Sequence, residues 1–362
     1  MVRVHLDESE IRAVVRVLRS GQLRAGRLVE EFEARFARGV GARYAIAVNS
    51  GTAALQLAYQ EFLKPGDEII VPDFTFVATA SMALAVGARP VLADVDPVTC
   101  TLDPASVEKV ITRRTRAIAP VHLYGGPANV MALLKIARKH RLRVIWDAAQ
   151  AHGAMANGRD IGSLPDVVCY SFYPTKNLTT GEGGMLTTSN KALAEALRLA
   201  RSHGEASRYC HTRLGYNFRM TDVAAAIGIE QLRKLPALLK ARRRNAAILS
   251  KGLAGIPGLD LPQVSLSDRH AFCLYTVRAN APTLGISRDD LQKSLAAQGI
   301  ESSTHYPRAL HQQPLFRHLG TDRKFPASTL LADSVLSLPV HPLLSKDDLR
   351  RIIHAVRDAV RA

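Results

Sequence analysis

The residues best suited to chemistry lie in one stretch, Ser171-Phe172-Tyr173-Pro174-Thr175-Lys176-Asn177-Leu178-Thr179-Thr180-Gly181-Glu182-Gly183-Gly184-Met185-Leu186. It follows the apolar run Val167-Val168-Cys169-Tyr170, which reads as a buried strand. Pro174 breaks that run, and Lys176 stands alone in the loop beyond it. Gly181, Gly183 and Gly184 then return the chain to a second apolar run. A lysine held between a strand end and a glycine-rich return suits Schiff-base chemistry, provided it is shielded enough for a useful fraction to be neutral. A solvated loop lysine has the same local sequence, so the decision rests on its company elsewhere.

Two further segments supply that company. Asn49-Ser50-Gly51-Thr52-Ala53-Ala54-Leu55 turns a short strand directly into a helix. Backbone N–H groups at such a start point outward with the helix dipole and match a phosphate. N-capping by Ser50 or Thr52 accounts for the same residues. A Walker A loop is excluded, because its spacing and Gly-Lys-Ser/Thr ending are absent. In Asp147-Ala148-Ala149-Gln150-Ala151-His152-Gly153, the carboxylate ends a buried strand. A buried carboxylate is costly unless it meets a cation or strong donors. A protonated pyridine nitrogen would be a suitable partner, and capping of the following turn is the plainer alternative. His152 reads as a packed core histidine, since no His or Cys stands at metal-ligand spacing to it.

The elements that must position these residues alternate. A helix over 7–18, with an Asp7/Glu10 capping box and a stop at Gly21, precedes a second helix through Val29–Phe36. Strands follow at Tyr44–Val48, Glu68–Val71, Pro90–Val95, Ala117–Val121 and Leu142–Trp146, with helices between them. The pattern predicts a mostly parallel sheet with helices on both faces. Ligands then bind at the carboxyl ends of strands, where Ser50-Gly51-Thr52, Phe76, Asp147 and Ser171 all fall. Leu214-Gly215-Tyr216-Asn217-Phe218-Arg219-Met220-Thr221-Asp222 mixes polar and apolar residues before a helix Val223–Leu235. It reads either as a surface buried against another subunit or as a helix start capped by Thr221 or Asp222. Pro236 marks a break and the domain boundary, giving a large domain over 1–235 and a small α+β domain over 236–362. The small domain is expected to contain strands 272–278 and 300–304, helix 288–298, a loop 305–325, a helix from Pro326 and a final helix 345–361.

Composition narrows the class. No apolar run is long enough to cross a membrane, and Met1-Val2-Arg3-Val4-His5 opens no signal peptide. The four scattered cysteines contain no CxxC pair, so the expected compartment is a reducing cytoplasm. The formal net charge of +16 fits nucleic acid or an anionic small substrate. Its densest cluster, Lys240-Ala241-Arg242-Arg243-Arg244, reads as a solvated helix face, and no nucleic-acid-binding signature accompanies it.

Taken in order, Ser-Gly-Thr, Asp-Ala-Ala-Gln-Ala-His-Gly, Ser-Phe-Tyr-Pro-Thr-Lys-Asn and Gly-Tyr-Asn-Phe-Arg-Met resemble the DegT/DnrJ/EryC1/StrS family of pyridoxal-phosphate (PLP)-dependent sugar aminotransferases. The resemblance runs from Val29-Glu30-Glu31-Phe32-Glu33 to Leu338-Pro339-Val340-His341-Pro342. It implies the aspartate-aminotransferase fold, PLP fold type I, within the α/β class. It also implies a nucleotide-linked keto sugar as acceptor and glutamate as amino donor. Lys176 would hold PLP as a Schiff base and move the proton, while Asp147 would bind the pyridine nitrogen. Phe76 would stack on the ring and Gln150 would hydrogen-bond its hydroxyl. The amides of Gly51, Thr52 and Ala53, with Ser171, would hold the phosphate, and Asn217 from a neighbouring subunit would complete the site of a homodimer. Arg219, Tyr306 and His311 would contact substrate. Two positions depart from the family pattern, Trp146 where an acid is frequent and Gly126 where glutamine is frequent, and both are expected near the site. A PLP-dependent sugar dehydratase is the nearest alternative, but such relatives carry histidine in place of the lysine. A non-catalytic regulator or nucleic-acid binder rests on charge alone.

Overall fold

The computed structural model describes residues 4–319 and 324–360. Met1–Arg3 of the N-terminal reading, part of the 305–325 loop and position 361 of the final helix lie outside the described residues.

Seven strands form the main sheet, in the order Tyr44–Val48, Gly184–Thr188, Val167–Ser171, Arg143–Asp147, Thr115–Ile118, Glu68–Pro72, Arg89–Ala93. Only Gly184–Thr188 runs against its neighbours; the other adjacent pairs are parallel. Successive side chains feed opposite faces, as a pleated strand requires. Ile69, Val71, Ile145 and Cys169 enter one apolar cluster, while Ile70, Val144, Trp146, Val168 and Tyr170 enter the other. Both faces are therefore covered, which is why these strands read as continuous apolar runs.

Polar contacts fix the first two helices, local ones at the first and long-range ones at the second. Glu8–Ser20 carries the expected capping box, with the Asp7 N–H donating to Glu10 at 2.9 Å and the Ser9 N–H donating to Asp7 at 2.8 Å. Arg27–Val40 has no side-chain cap of its own. Asp222 caps it from a distance, its Oδ1 accepting from the Gly26 and Val29 N–H groups at 2.9 and 3.1 Å. Thr221 caps its own helix by accepting from Ala224 N–H at 3.2 Å. The buried Glu33 accepts from the Ala47 N–H at 2.8 Å and from Arg201 at 2.5 Å. This satisfies an edge-strand amide that would otherwise be open for pairing.

The break expected at Pro236 is absent. One helix runs Asp222–Leu253 through it. An interior proline costs about 3 kcal/mol, and packing on both sides offsets that cost. Ile229, Leu232, Leu235 and Leu239 lie on the main core, and Ala246, Leu249 and Leu253 lie in a second core. The change from one core to the other falls between Leu239 and Ala246, inside the helix. The second core covers a three-stranded antiparallel sheet of Leu259–Asp260, Tyr275–Ala279 and Val335–Leu338. Strand 300–304 does not form; Ser303 makes an isolated bridge to Ser337 instead. The 305–325 segment holds two short 3-10 turns, and its Leu310, Phe316 and Phe325 belong to a main-sheet core.

The basic cluster 240–244 is not simply solvated. Arg242 is buried, and its Nη1 donates to the Phe272 and Cys273 carbonyls, each at 3.3 Å. Arg243 donates to the His270 carbonyl at 3.2 Å and the Gly153 carbonyl at 2.9 Å. These guanidinium groups tie the 270–273 segment to the long helix, because that segment leaves carbonyls without a strand partner to accept from.

Candidate active site

The parallel strands deliver their carboxyl ends to one edge of the sheet, and a cavity of about 540 Å³ lies there. It brings together Gly51, Thr52, Phe76, Asp147, Gln150 and Ser171 with Lys176 and Tyr306. A larger open cleft of about 960 Å³ lies beside Arg143 and Thr188 at the other end of the sheet, and none of the predicted site residues reaches it.

Asp147 is 5% exposed. Its Oδ2 accepts from the Thr79 hydroxyl at 2.8 Å and its Oδ1 from the Ala149 N–H at 3.0 Å. Burial pushes its pKa up, and the two donors and the Lys176 charge oppose that rise. Lys176 is half-buried and has no ion-pair partner among the described residues. Its charge also reaches His305 and His152, where it adds to burial in disfavouring the imidazolium; for His152 the pKa falls to about 3. His152 packs against Tyr170 and Phe172, at ring separations of 5.2 and 5.6 Å.

Gln150 is fixed from both ends. Its Oε1 accepts from the Tyr124 N–H at 2.7 Å, and its Nε2 donates to the Tyr306 hydroxyl at 3.2 Å. Tyr124 in turn donates its hydroxyl to the His305 carbonyl, joining the rim loop to the sheet. Phe76 is 53% exposed in the cavity wall, its ring 6.0 Å from that of Tyr306. An aromatic ring left this open at a strand end has an unused face for a planar ligand.

The helix Gly51–Phe62 points its N-terminus into the cavity. Ser50 caps it by accepting from the Ala53 N–H at 3.1 Å, so Ala53 is committed and does not line the cavity. The Gly51 and Thr52 amides have no protein acceptor among the described residues. The turn lies very close to the sheet. A Cβ on Gly51 would lie 2.7 Å from Ser171 Cβ, and one on Gly184 would lie 2.4 Å from the Ser50 carbonyl oxygen. Glycine at these two positions lets the helix start meet the strand ends.

Other expected residues lie elsewhere. Asn217 is exposed, Arg219 bridges to Val48, and neither lines this cavity. His311 is held by Asp73, 2.6 Å from Nδ1 to Oδ2, and stacks on Phe325 at 5.1 Å. That hydrogen bond raises its pKa, and the pair anchors the rim loop rather than opening to the cavity. Trp146 faces away, its indole N–H donating to the Pro165 carbonyl at 3.1 Å and its ring stacked on His122 at 5.4 Å. Gly126 also lies off the cavity, with His270 filling the space a side chain would use. Neither departure from the family pattern touches the site. Sequence reasoning missed Thr79, Tyr124 and Glu182 as site residues, whereas His305, in the rim loop with Tyr306, does line the cavity. Thr79 carried no signal, whereas Glu182, between the glycines of the lysine loop, could have been found.

One cavity thus holds a buried carboxylate, a lysine free of acid partners among the described residues, an exposed ring and an open helix N-terminus, a set with the chemistry to receive a phosphorylated, nitrogen-containing aromatic group. The DegT/DnrJ/EryC1/StrS aminotransferase family matches residues 4–357, and the chain belongs to that family. GDP-perosamine synthase of Caulobacter vibrioides is 43% identical over 335 residues, covering 91% of this chain and 90% of the relative. The dTDP-3-amino-3,4,6-trideoxy-alpha-D-glucose transaminase of Streptomyces venezuelae is 42% identical over 349 residues, covering 96% and 90%. The crystal structure of S. venezuelae DesV, in complex with ketimine intermediate, superposes with a TM-score of 0.93 at 41% identity, covering 98% of this chain and 94% of that one. The chain is thus a PLP-dependent aminotransferase of fold type I. The residues present fit PLP: the Gly51–Ser171 approach leaves a cradle at unpaired amides, and Asp147 supplies the buried acid.

Proposed function

We propose that this chain transfers an amino group from glutamate to the keto carbon of a nucleotide-linked keto-deoxy sugar. The observation that carries this reading is the placing of Lys176 and the buried Asp147 in one cavity at neighbouring strand ends. The relatives support the acceptor class, since those cited above are named for GDP- and dTDP-sugars.

Bound here, PLP supplies a carbonyl carbon that condenses with amines and a ring that takes up electrons from the carbon losing its proton. The amides of Gly51 and Thr52, with the Ser171 hydroxyl, would hold its phosphate. Phe76 would stack on its ring, Gln150 would donate to its hydroxyl, and Asp147 would keep its nitrogen protonated. Lys176 Nζ would hold it covalently and, once free again, would take the proton from the donor's α-carbon. In the second half-reaction the same amine would deliver a proton to the sugar carbon. Glutamate leaves as 2-oxoglutarate, and the sugar ketone becomes an amine. Tyr306, which lines the cavity and holds Gln150, is assigned to the substrate side; His311, committed to Asp73, is left out. A panel of nucleotide-linked keto sugars offered with glutamate should yield an amino sugar and 2-oxoglutarate in equal amounts. Absence of amination across GDP-, dTDP- and UDP-linked ketones would contradict the reading.

The functional unit is proposed as a homodimer. Asn217 is exposed and lies off its own cavity, as a residue serving a neighbour's phosphate site should. Arg219 lies in the same segment and is placed with it. Mixing Lys176→Ala and Asn217→Ala chains tests this. One site of the mixed dimer would then carry both native residues, so activity should return; if Asn217 acts within its own chain, mixing restores nothing. The four cysteines are all free, which supports a reducing compartment such as the cytoplasm. Among the described residues no helix is long and apolar enough to cross a membrane.

A further inference from the structure

Among the described residues the Asp147 carboxylate accepts from two donors, and of these the Thr79 hydroxyl alone is a side chain. The other titratable groups that face it are Lys176, Tyr59, Cys169 and Tyr306. Tyr59, Cys169 and Tyr306 are pushed by burial, and by the Asp147 charge itself, toward their neutral forms. They come from the helix Gly51–Phe62, the strand Val167–Ser171 and the rim loop, and among the described residues none of the three donates to the carboxylate. Thr79 is fully buried at the start of the helix Ala78–Ala85. Its carbonyl accepts from the Tyr59 hydroxyl at 2.7 Å, which locks its backbone. Its hydroxyl also lies 3.4 Å from that of Thr75. A hydroxyl has one proton, so with Thr79 donating to Asp147, Thr75 is the donor in that pair. The branched side chain leaves little freedom in χ1 to lose this aim.

We propose that Thr79 is a positioning residue of the transamination, its hydroxyl holding the Asp147 carboxylate ionised and turned toward the cofactor's ring nitrogen. The two donors grip opposite oxygens, which fixes the plane of the carboxylate before the ring arrives. The inference rests on the proposed contact between Asp147 and that nitrogen. Its effect on Asp147 can nevertheless be read without cofactor.

The test uses Thr79→Val, which keeps the shape and removes the hydroxyl, Thr79→Ser, which keeps the hydroxyl, and Thr79→Ala as a second hydroxyl-free variant. In the cofactor-free protein, the infrared band of the protonated carboxyl is titrated with pH and assigned to Asp147 by its loss in Asp147→Asn. A hydrogen bond to a charged group is worth roughly tenfold or more in an equilibrium. The midpoint should therefore rise by about one pH unit or more in Thr79→Val and Thr79→Ala, and stay near the parent value in Thr79→Ser. In the PLP-loaded enzyme, kcat should fall about tenfold in Thr79→Val, with its acid limb displaced the same way, and recover in Thr79→Ser. Unmoved midpoints in both hydroxyl-free variants overturn the proposal. Normal turnover in Asp147→Asn overturns instead the underlying ring-nitrogen contact, so the two failures are distinguishable.

Discussion

Replacing Lys176 with alanine is expected to lower turnover by at least about 10³-fold while the protein stays folded. The side chain does little for the fold. It has no ion pair among the described residues and is half-buried at a cavity wall. The loop around it is held by other groups: Asn177 donates to the Ala271 carbonyl at 3.0 Å, and Thr179 to the Phe172 carbonyl at 2.8 Å. Removal should shift the melting temperature little. Chemistry is a different matter, because among the described residues no other lysine lines the cavity to bind the cofactor or move the proton. The comparison to make is the amination rate of the purified variant beside its thermal melt. A rate above about one per cent of the parent in a folded variant would contradict the assigned proton transfer.

Asp147→Asn is expected to reduce kcat by about 10²–10³-fold and to weaken cofactor retention far less. The amide has the same shape, and its oxygen can still accept from the Ala149 N–H. It carries no charge, so the ring nitrogen no longer gains from being protonated and the ring becomes a weaker electron sink. Phosphate and ring contacts through Gly51, Thr52 and Phe76 are untouched, and they should carry most of the binding. Measuring kcat and the PLP dissociation constant on the same preparation separates the two effects. Equal losses in both would mean that Asp147 serves mainly to bind.

Much of this site could be read from the chain, for a physical reason. Strand ends that open directly onto glycine, proline or a lone charge break the apolar pattern, and the parallel sheet then delivers those breaks to one edge. That is why Gly51, Phe76, Asp147, Ser171 and Lys176 meet in one cavity, while the roles expected of them come from the family resemblance. What failed to show depends on partners far away in sequence. His311 matches a family rim loop, yet Asp73 claims it. The arginines after Lys240 look solvated because nothing local reveals that the 270–273 carbonyls need donors. Pro236 argues for a helix break on local grounds, and packing on two cores overrides it. Thr79 is one small residue in an apolar helix, and its meaning appears only once Asp147 stands beside it.

The most direct measurement is a map of where the cofactor is attached. The PLP-loaded protein is reduced with borohydride, digested, and its peptides sequenced by mass spectrometry. The phosphopyridoxyl group should be found on the peptide containing Lys176 and nowhere else. Its appearance on another lysine, or its absence from a protein that still aminates sugar, would contradict this account.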